Sequence, residues 1–207
     1  MPCVSIVCAL SRELSPLLAE PPPGCQIVPG GIGANAAERA ARGLIKADIL
    51  ISAGYAGGLT APRSTIIVDT QDPELDRALP PATRGRIADS QTMIATPGAR
   101  ARLAAATGAV AVDMESAAIA RVARERGIPF AAVRVITDGP DDVLVIDWDR
   151  YRRSDGSMRS AAAVLSAFGS RQGIAELFRL WYSSREATSV LSAYLSQFLK
   201  NLGVSAS

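Results

Sequence analysis

Ala111-Val-Asp-Met-Glu-Ser-Ala-Ala-Ile-Ala-Arg-Val-Ala123, followed after three residues by Gly127-Ile-Pro-Phe-Ala-Ala-Val-Arg-Val-Ile-Thr-Asp138, decides the reading of this chain. The apolar run Val110-Met114 reads as a strand, residues 115-126 as a helix, and Phe130-Thr137 as a second strand that Asp138 closes. A strand, a crossover helix and a strand make the βαβ unit of a parallel sheet. In such sheets ligands sit beyond the carboxyl ends of the strands. The polar residues that matter are therefore the ones immediately after the apolar runs.

The same alternation continues outward. Val4-Leu10, Ile49-Ala53, Thr65-Asp69 and Gly85-Ala88 read as further strands, with helices over about 34-47 and 97-106. A mainly parallel sheet covered on both faces is expected. Glu13 follows the first strand, Gly54-Tyr-Ala-Gly-Gly58 follows the second, Met114-Glu115 and Asp138 follow two others. Three carboxylates, Glu13, Glu115 and Asp138, are thus expected at one edge of one sheet.

Composition narrows the chemistry. The 207 residues are 48% hydrophobic, enough to bury one substantial core. The 22 Lys and Arg nearly balance the 20 Asp and Glu, for a formal charge of +2, so there is no electrostatic footprint of a nucleic-acid binder. Histidine is absent, which excludes Ser-His-Asp and Cys-His machinery and any imidazole-based zinc site. Acid and base chemistry has to come from carboxylates. Cys3, Cys8 and Cys25 are odd in number and lack C-x-x-C spacing, and read as reduced core residues of a cytoplasmic protein. The run Val4-Leu10 has no basic leader and is far shorter than the ~18 residues of a membrane span.

After Asp138 the composition changes. Gly139-Pro-Asp-Asp142 and Arg153-Ser-Asp-Gly156 read as turns, and Met158-Leu202 as helical. The expected organisation is one domain over 1-207, with 157-207 a helical extension. From Arg150 onward eight Lys or Arg face three Asp or Glu, so the tail is basic as well as amphipathic. Packing against the core is one reading of it, and contact with a membrane surface is the other. The chain has no internal repeat and no low-complexity segment.

The Met114-Glu115 pair opening a helix, the Thr137-Asp138 strand end, Gly30-Gly-Ile-Gly33 and Ala53-Gly-Tyr-Ala-Gly-Gly-Leu59 together resemble the purine nucleoside phosphorylase and 5'-methylthioadenosine/S-adenosylhomocysteine nucleosidase superfamily. The resemblance covers most of residues 4-138 in the correct order, where a lone glycine-rich loop would mean little. It implies a three-layer αβα fold with a mixed, mainly parallel central sheet, and cleavage of the N-glycosidic bond of a purine nucleoside. Under it Glu115 holds the ribose hydroxyls, Asp138 protonates or hydrogen-bonds N7 of the departing base, and Glu13 activates water. Each role has physical sense: the sugar turns cationic as C1'-N9 breaks, so a carboxylate on the 2'-hydroxyl grows more favourable. A positioned acid contributes ~10²-10⁴-fold. To donate at neutral pH, Asp138 needs a desolvated site. The ordinary alternative for Glu115 is service to the helix dipole, worth about 0.3-1 kcal/mol.

The resemblance also implies that Met93 and Ile94 flank the base, with Met93 where nucleosidases commonly carry an aromatic, that Met114 packs on the ribose, and that Tyr55, Ala56 and Gly57 touch substrate. A phosphorolytic enzyme needs an anion pocket of backbone N-H groups and arginines, to which Arg12, Arg134 and the Gly30-Gly31 loop are candidates. The short stretches between motifs and the long Leu- and Arg-containing tail are similar to the hopanoid-associated phosphorylase branch, which implies removal of adenine from adenosylhopane. Water or phosphate is the co-substrate, no metal or organic cofactor is implied, and homo-oligomers are the family's habit. Two alternatives stand beside release of adenine from a 5'-substituted adenosine: phosphorolysis of another nucleoside, and a non-catalytic ligand-binding or membrane-associated protein.

Overall fold

The computed structural model describes residues 2–153, 155–168 and 170–204. Its strands are β1 (Val4–Cys8), β2 (Cys25–Pro29), β3 (Ile49–Gly58), β4 (Ile66–Thr70), β5 (Thr83–Arg84), β6 (Ile87–Asp89), β7 (Ala111–Asp113) and β8 (Phe130–Asp138). Its helices are α1 (Ser15–Ala19), α2 (Ala34–Gly43), α3 (Pro73–Ala78), α4 (Pro97–Thr107), α5 (Ser116–Arg126), α6 (Ser160–Ala167) and α7 (Arg171–Asn201). Ser154 of the expected turn, Gly169 of the expected helical stretch and residues 205–207 of the expected extension lie outside the described residues.

Among the described residues one eight-stranded sheet runs β2-β1-β3-β8-β4-β5, with β7 paired to β3 and β6 to β7. Only β3 with β7 and β4 with β8 run antiparallel, so the sheet is mixed and mainly parallel. Its centre is read easily because β1 and β8 are continuous apolar runs covered on both faces. On one face Ala37, Ala41, Ile119 and Val122 of α2 and α5 pack against Val7 and Leu50. On the other, Leu191, Leu195, Phe198 and Leu199 of α7 close over Ile6, Ile51, Val133 and Val135. That makes three layers, as expected.

The boundaries differ in informative ways. The first strand ends at Cys8, two residues short, because Ser11–Leu14 forms a 3-10 turn. The second runs to Gly58, so the glycine-rich stretch expected after it belongs to the strand itself. The first expected helix stops at Gly43, where 34-47 was expected. β2 escapes the sequence pattern: it is an edge strand, only partly buried, and its last residue is proline. The tail holds two helices, α6 and α7.

Candidate active site

The carboxyl ends of β1, β3, β7 and β8 open into one cavity of about 800 Å³, roofed by α6 and α7. Glu13, Tyr55, Ala56, Gly57, Met93, Ile94, Met114, Glu115 and Asp138, the residues expected to carry catalysis and substrate binding, all line it.

Glu13 sits in the 3-10 turn after β1, buried, and its Oε2 accepts from the Leu10 N-H at 2.9 Å. Burial raises its pKa above the ordinary carboxylate value, against the pull of the Leu10 N-H and Arg134. Gly54 of β3 lies so close that a Cβ there would stand 3.2 Å from Glu13 Oε1. Asp138 is treated the same way by Gly57, whose Cβ would stand 3.1 Å from Asp138 Oδ2. A bulge in the β3-β8 pairing creates that approach: Ala56 faces Ile136, but Gly57 faces Asp138, where regular pairing would have put Thr137.

Glu115 is the residue before α5, yet its side chain makes no capping bond. Asp113 does that work, accepting from the Ser116 N-H and hydroxyl. Glu115 is thereby free to turn into the cavity, where Oε1 accepts from the Gly33 N-H at 2.7 Å. Burial, reinforced by the Asp113 carboxylate, pushes its pKa up to about 7. Glu115 thus holds the N-cap position of α5 while Asp113 makes the capping bond.

Arg134 is not a member of any anion pocket. It is buried, its Nε donates to Asp113 Oδ2 at 2.7 Å, and its two terminal nitrogens donate to the carbonyl and hydroxyl of Ser52 at 2.8 Å each. The Gly30-Gly31 loop is engaged too. Gly30 N donates to Cys8 O at 2.8 Å, Gly31 N to Ala9 O at 3.0 Å, Ile32 N to Gly156 O at 2.8 Å, and Gly33 N to Glu115. Of the three candidates for holding phosphate, only Arg12 faces the cavity with an uncommitted role.

Several lining residues escaped the sequence reading. Arg100 of α4 is 1% exposed and pairs with Asp138, Nη2 to Oδ2 at 2.5 Å. It was legible in principle, since position 100 shares the inward stripe of α4 with Leu103 and Ala104, where arginine is out of character. Tyr55 turned out to be a strut as well as a wall: its hydroxyl donates to the Ser184 carbonyl of α7 at 3.0 Å. The far wall is apolar, formed by Leu144, Trp148, Met158, Leu177, Leu180 and Trp181. Buried Glu176 holds part of that wall in place by accepting from the N-H groups of Val145 and Ile146 and, at 3.0 Å, from the Trp148 indole. Among the described residues no cluster of three or more acidic or thiol side chains is built to hold a metal.

The cavity thus combines a polar floor, where Glu13, Glu115 and Asp138 stand with Asp113, and an apolar roof, a division suited to an amphipathic small molecule. The model of the family described as Phosphorylase superfamily matches residues 70–168. The 5'-methylthioadenosine/S-adenosylhomocysteine nucleosidase of Treponema pallidum (strain Nichols) is 42% identical over 55 residues, 27% of this chain and only 20% of that relative's length. The fold is similar to that of S-adenosylhomocysteine nucleosidase from Streptococcus pyogenes in complex with 5-methylthiotubericidin, with a TM-score of 0.71 at 19% identity over 96% of each chain. It is equally similar to a futalosine hydrolase mutant of Helicobacter pylori strain 26695, with a TM-score of 0.70 at 14% identity over 97% of this chain and 99% of that one.

Proposed function

We propose that this chain is a nucleosidase of the Phosphorylase superfamily, cleaving the N-glycosidic bond of a purine nucleoside with water and releasing adenine from an adenosine whose 5' carbon carries an apolar group. The observation that carries the reading is the convergence of Glu13, Glu115 and Asp138, from three separate stretches of chain, on one cavity.

The chemistry follows from their charges. As C1'-N9 lengthens the sugar becomes cationic, and Glu115 on the ribose hydroxyls stabilises that charge more in the transition state than in the ground state. Glu13 takes a proton from water as the oxygen bonds to C1'. Asp138 faces the imidazole side of the base and stabilises it as it leaves protonated at N7. Met93 and Ile94 flank the base, Met114 packs on the ribose, and Tyr55, Ala56 and Gly57 form the wall beneath them.

Water is favoured over phosphate because the Gly30-Gly31 loop and Arg134 have their donors committed elsewhere, which leaves Arg12 alone of the three candidates to hold an anion. The apolar roof favours a 5' substituent ranging from a methylthio group to a lipid such as the hopane of adenosylhopane. The second of these would be drawn from a bilayer, with the C-terminal helices in contact with its surface. A panel of 5'-substituted adenosines assayed by chromatography with and without phosphate tests the reading. Free adenine without phosphate, fastest for apolar 5' groups, is expected. Release that requires phosphate and yields ribose 1-phosphate would replace hydrolysis with phosphorolysis, and no base from any nucleoside would end the enzymatic reading.

A further inference from the structure

Glu176 is a buried carboxylate that the reaction as described does not use. It is 3% exposed, in the half of α7 that roofs the cavity, where an apolar side chain would be the ordinary occupant. What it touches is the stretch 139–147, which leaves β8 and reaches the 3-10 turn Trp148–Tyr151 without joining a helix or a strand. Such a stretch has backbone N-H groups to satisfy. Leu144 N donates to Ala95 O at 2.9 Å, and the N-H groups of Val145 and Ile146 both donate to Glu176 Oε2, the second at 3.1 Å. Oε1 accepts from the Trp148 indole at 3.0 Å. One carboxylate thus serves three donors that lie close together along the chain.

This strap is held along both edges. One turn further along α7, Arg179 donates to Asp142 Oδ1 and to the Val143 carbonyl, at 3.2 Å each. The opposite edge is tied to the loop that carries Met93 and Ile94: besides Leu144 with Ala95, the Met93 N-H donates to Asp149 Oδ2 at 2.8 Å. Held this way, the strap alternates. Val143 and Val145 are 50% and 49% exposed, Leu144 and Ile146 are buried, and Leu144 and Trp148 line the cavity. We propose that Glu176 is a positioning residue that sets the specificity for the 5' group: it latches the strap to α7 and so fixes Leu144 and Trp148 as one wall between the base-flanking loop and the roof. With its N-H bonded, the indole presents a constant surface to the cavity, whereas a released ring is free to change rotamer. A fixed wall rewards an apolar 5' group long enough to pack against it and gives nothing to a nucleoside that ends short of it.

The chemistry of the latch calls for a carboxylate. A glutamine of the same length has one acceptor oxygen, so whichever way its amide turns, its NH2 group faces either the indole N-H or the two backbone N-H groups, donor against donor. Either orientation frees one side of the strap.

The proposal rests on the nucleosidase reading for the nature of the ligand but not for the latch, and the experiment separates the two. Trp148 and Trp181 are the two tryptophans of the chain, so in a Trp181→Phe background the emission reports Trp148 alone. Acrylamide quenching of that emission is compared with and without Glu176→Gln. In the chain that keeps Trp181, kcat and KM are measured for 5'-deoxyadenosine and 5'-butylthioadenosine. Glu176→Gln is expected to raise the quenching constant at least twofold. It should also cut the ratio of kcat/KM, butylthio over deoxy, at least tenfold, with the loss mainly in KM. Trp148→Phe keeps an aromatic wall but removes the indole donor, so it should lower the same ratio at least threefold, and it decides the matter if the Gln variant does not fold. Unaltered quenching in a folded Gln variant would overturn the proposal. So would an equal loss on both nucleosides, or a Phe variant that keeps the ratio. A quenching difference without turnover of any nucleoside would sink the nucleosidase reading and leave the latch standing.

Discussion

The three carboxylates expected from the sequence, Glu13, Glu115 and Asp138, are each governed by different neighbours in the cavity they share with Asp113. Glu115 carries the clearest electrostatic signature, because burial and Asp113 push it to about 7 while an unfolded glutamate titrates at 4.5. The folded chain therefore prefers Glu115 protonated, and folding stability falls as pH rises from about 4.5 through about 7, by on the order of 3 kcal/mol. Activity moves the other way, since only the ionised form stabilises a cationic sugar. We expect kcat/KM to rise with pH through about 7, and Glu115→Gln to melt higher than wild type at pH 8, equally at pH 4.5, while losing at least a hundredfold in kcat. A variant no more stable than wild type at pH 8 would show that the site stores no such strain. Glu13→Gln keeps the acceptor for the Leu10 N-H but removes the base, so kcat should fall ~10²-10⁴-fold, and because burial raises the Glu13 pKa as it does that of Glu115, the melting temperature at pH 8 should rise rather than fall. Glu115 and Asp138 were legible because each follows an apolar run directly, whereas Arg100 was hidden in a helix whose inward face becomes visible only once α4 is docked.

At the scale of elements the site depends on what β3 leaves out. Gly54 and Gly57 admit the carboxyl groups of Glu13 and Asp138 to within van der Waals contact of the backbone, and the bulge at Ala56-Gly57 brings Asp138 to the second of them. Gly54→Ala and Gly57→Ala each place a methyl about as close to carboxylate oxygens as real Cβ atoms come, so the carboxylates must shift. A misplacement of this kind costs activity more than stability. The expected outcome is at least a tenfold drop in kcat with a loss of about 1-3 kcal/mol from overpacking, measured by steady-state assay and thermal melting. Gly43→Ala is the matched control: nothing lies within 4 Å of a Cβ there, and it sits in a helix, so activity should hold and stability rise by about 0.5-1 kcal/mol. The central strands were readable because burial on both faces leaves a nearly continuous apolar run, and α5 because its buried residues Ala118, Ile119, Val122 and Ala123 recur at helical spacing. β2 and the short α3 were not, since a partly buried edge strand and a six-residue helix leave little periodicity to detect.

The whole molecule divides α7 between two tasks. Its C-terminal half packs Ala187, Leu191, Tyr194, Leu195 and Phe198 at helical spacing against the sheet. Its N-terminal half roofs the cavity with Leu177, Leu180 and Trp181 while leaving Phe178, Trp181 and Tyr182 59–70% exposed. Phe168 and Leu165, at the end of α6, are exposed too. The sequence showed the tail to be amphipathic and basic, but which turns cover the core and which cover the ligand depends on the docking of one long helix. Among the described residues no helix is long and apolar enough to cross a membrane. The membrane contact proposed above would fall on this aromatic ridge and on Arg185, which stacks 4.9 Å over the Trp181 ring, while Arg179 is committed to Asp142. Trp181 belongs both to this ridge and to the cavity wall, so a substrate with a lipid on its 5' carbon could pass from one to the other without crossing water. Phe178→Ser with Tyr182→Ser, both exposed and neither of them lining the cavity, should therefore cut co-sedimentation with vesicles of phosphatidylglycerol severalfold and slow release of adenine from a lipid-linked adenosine. Turnover of methylthioadenosine, which needs no bilayer, should change much less, and equal loss on both substrates would make the ridge part of the pocket and nothing more.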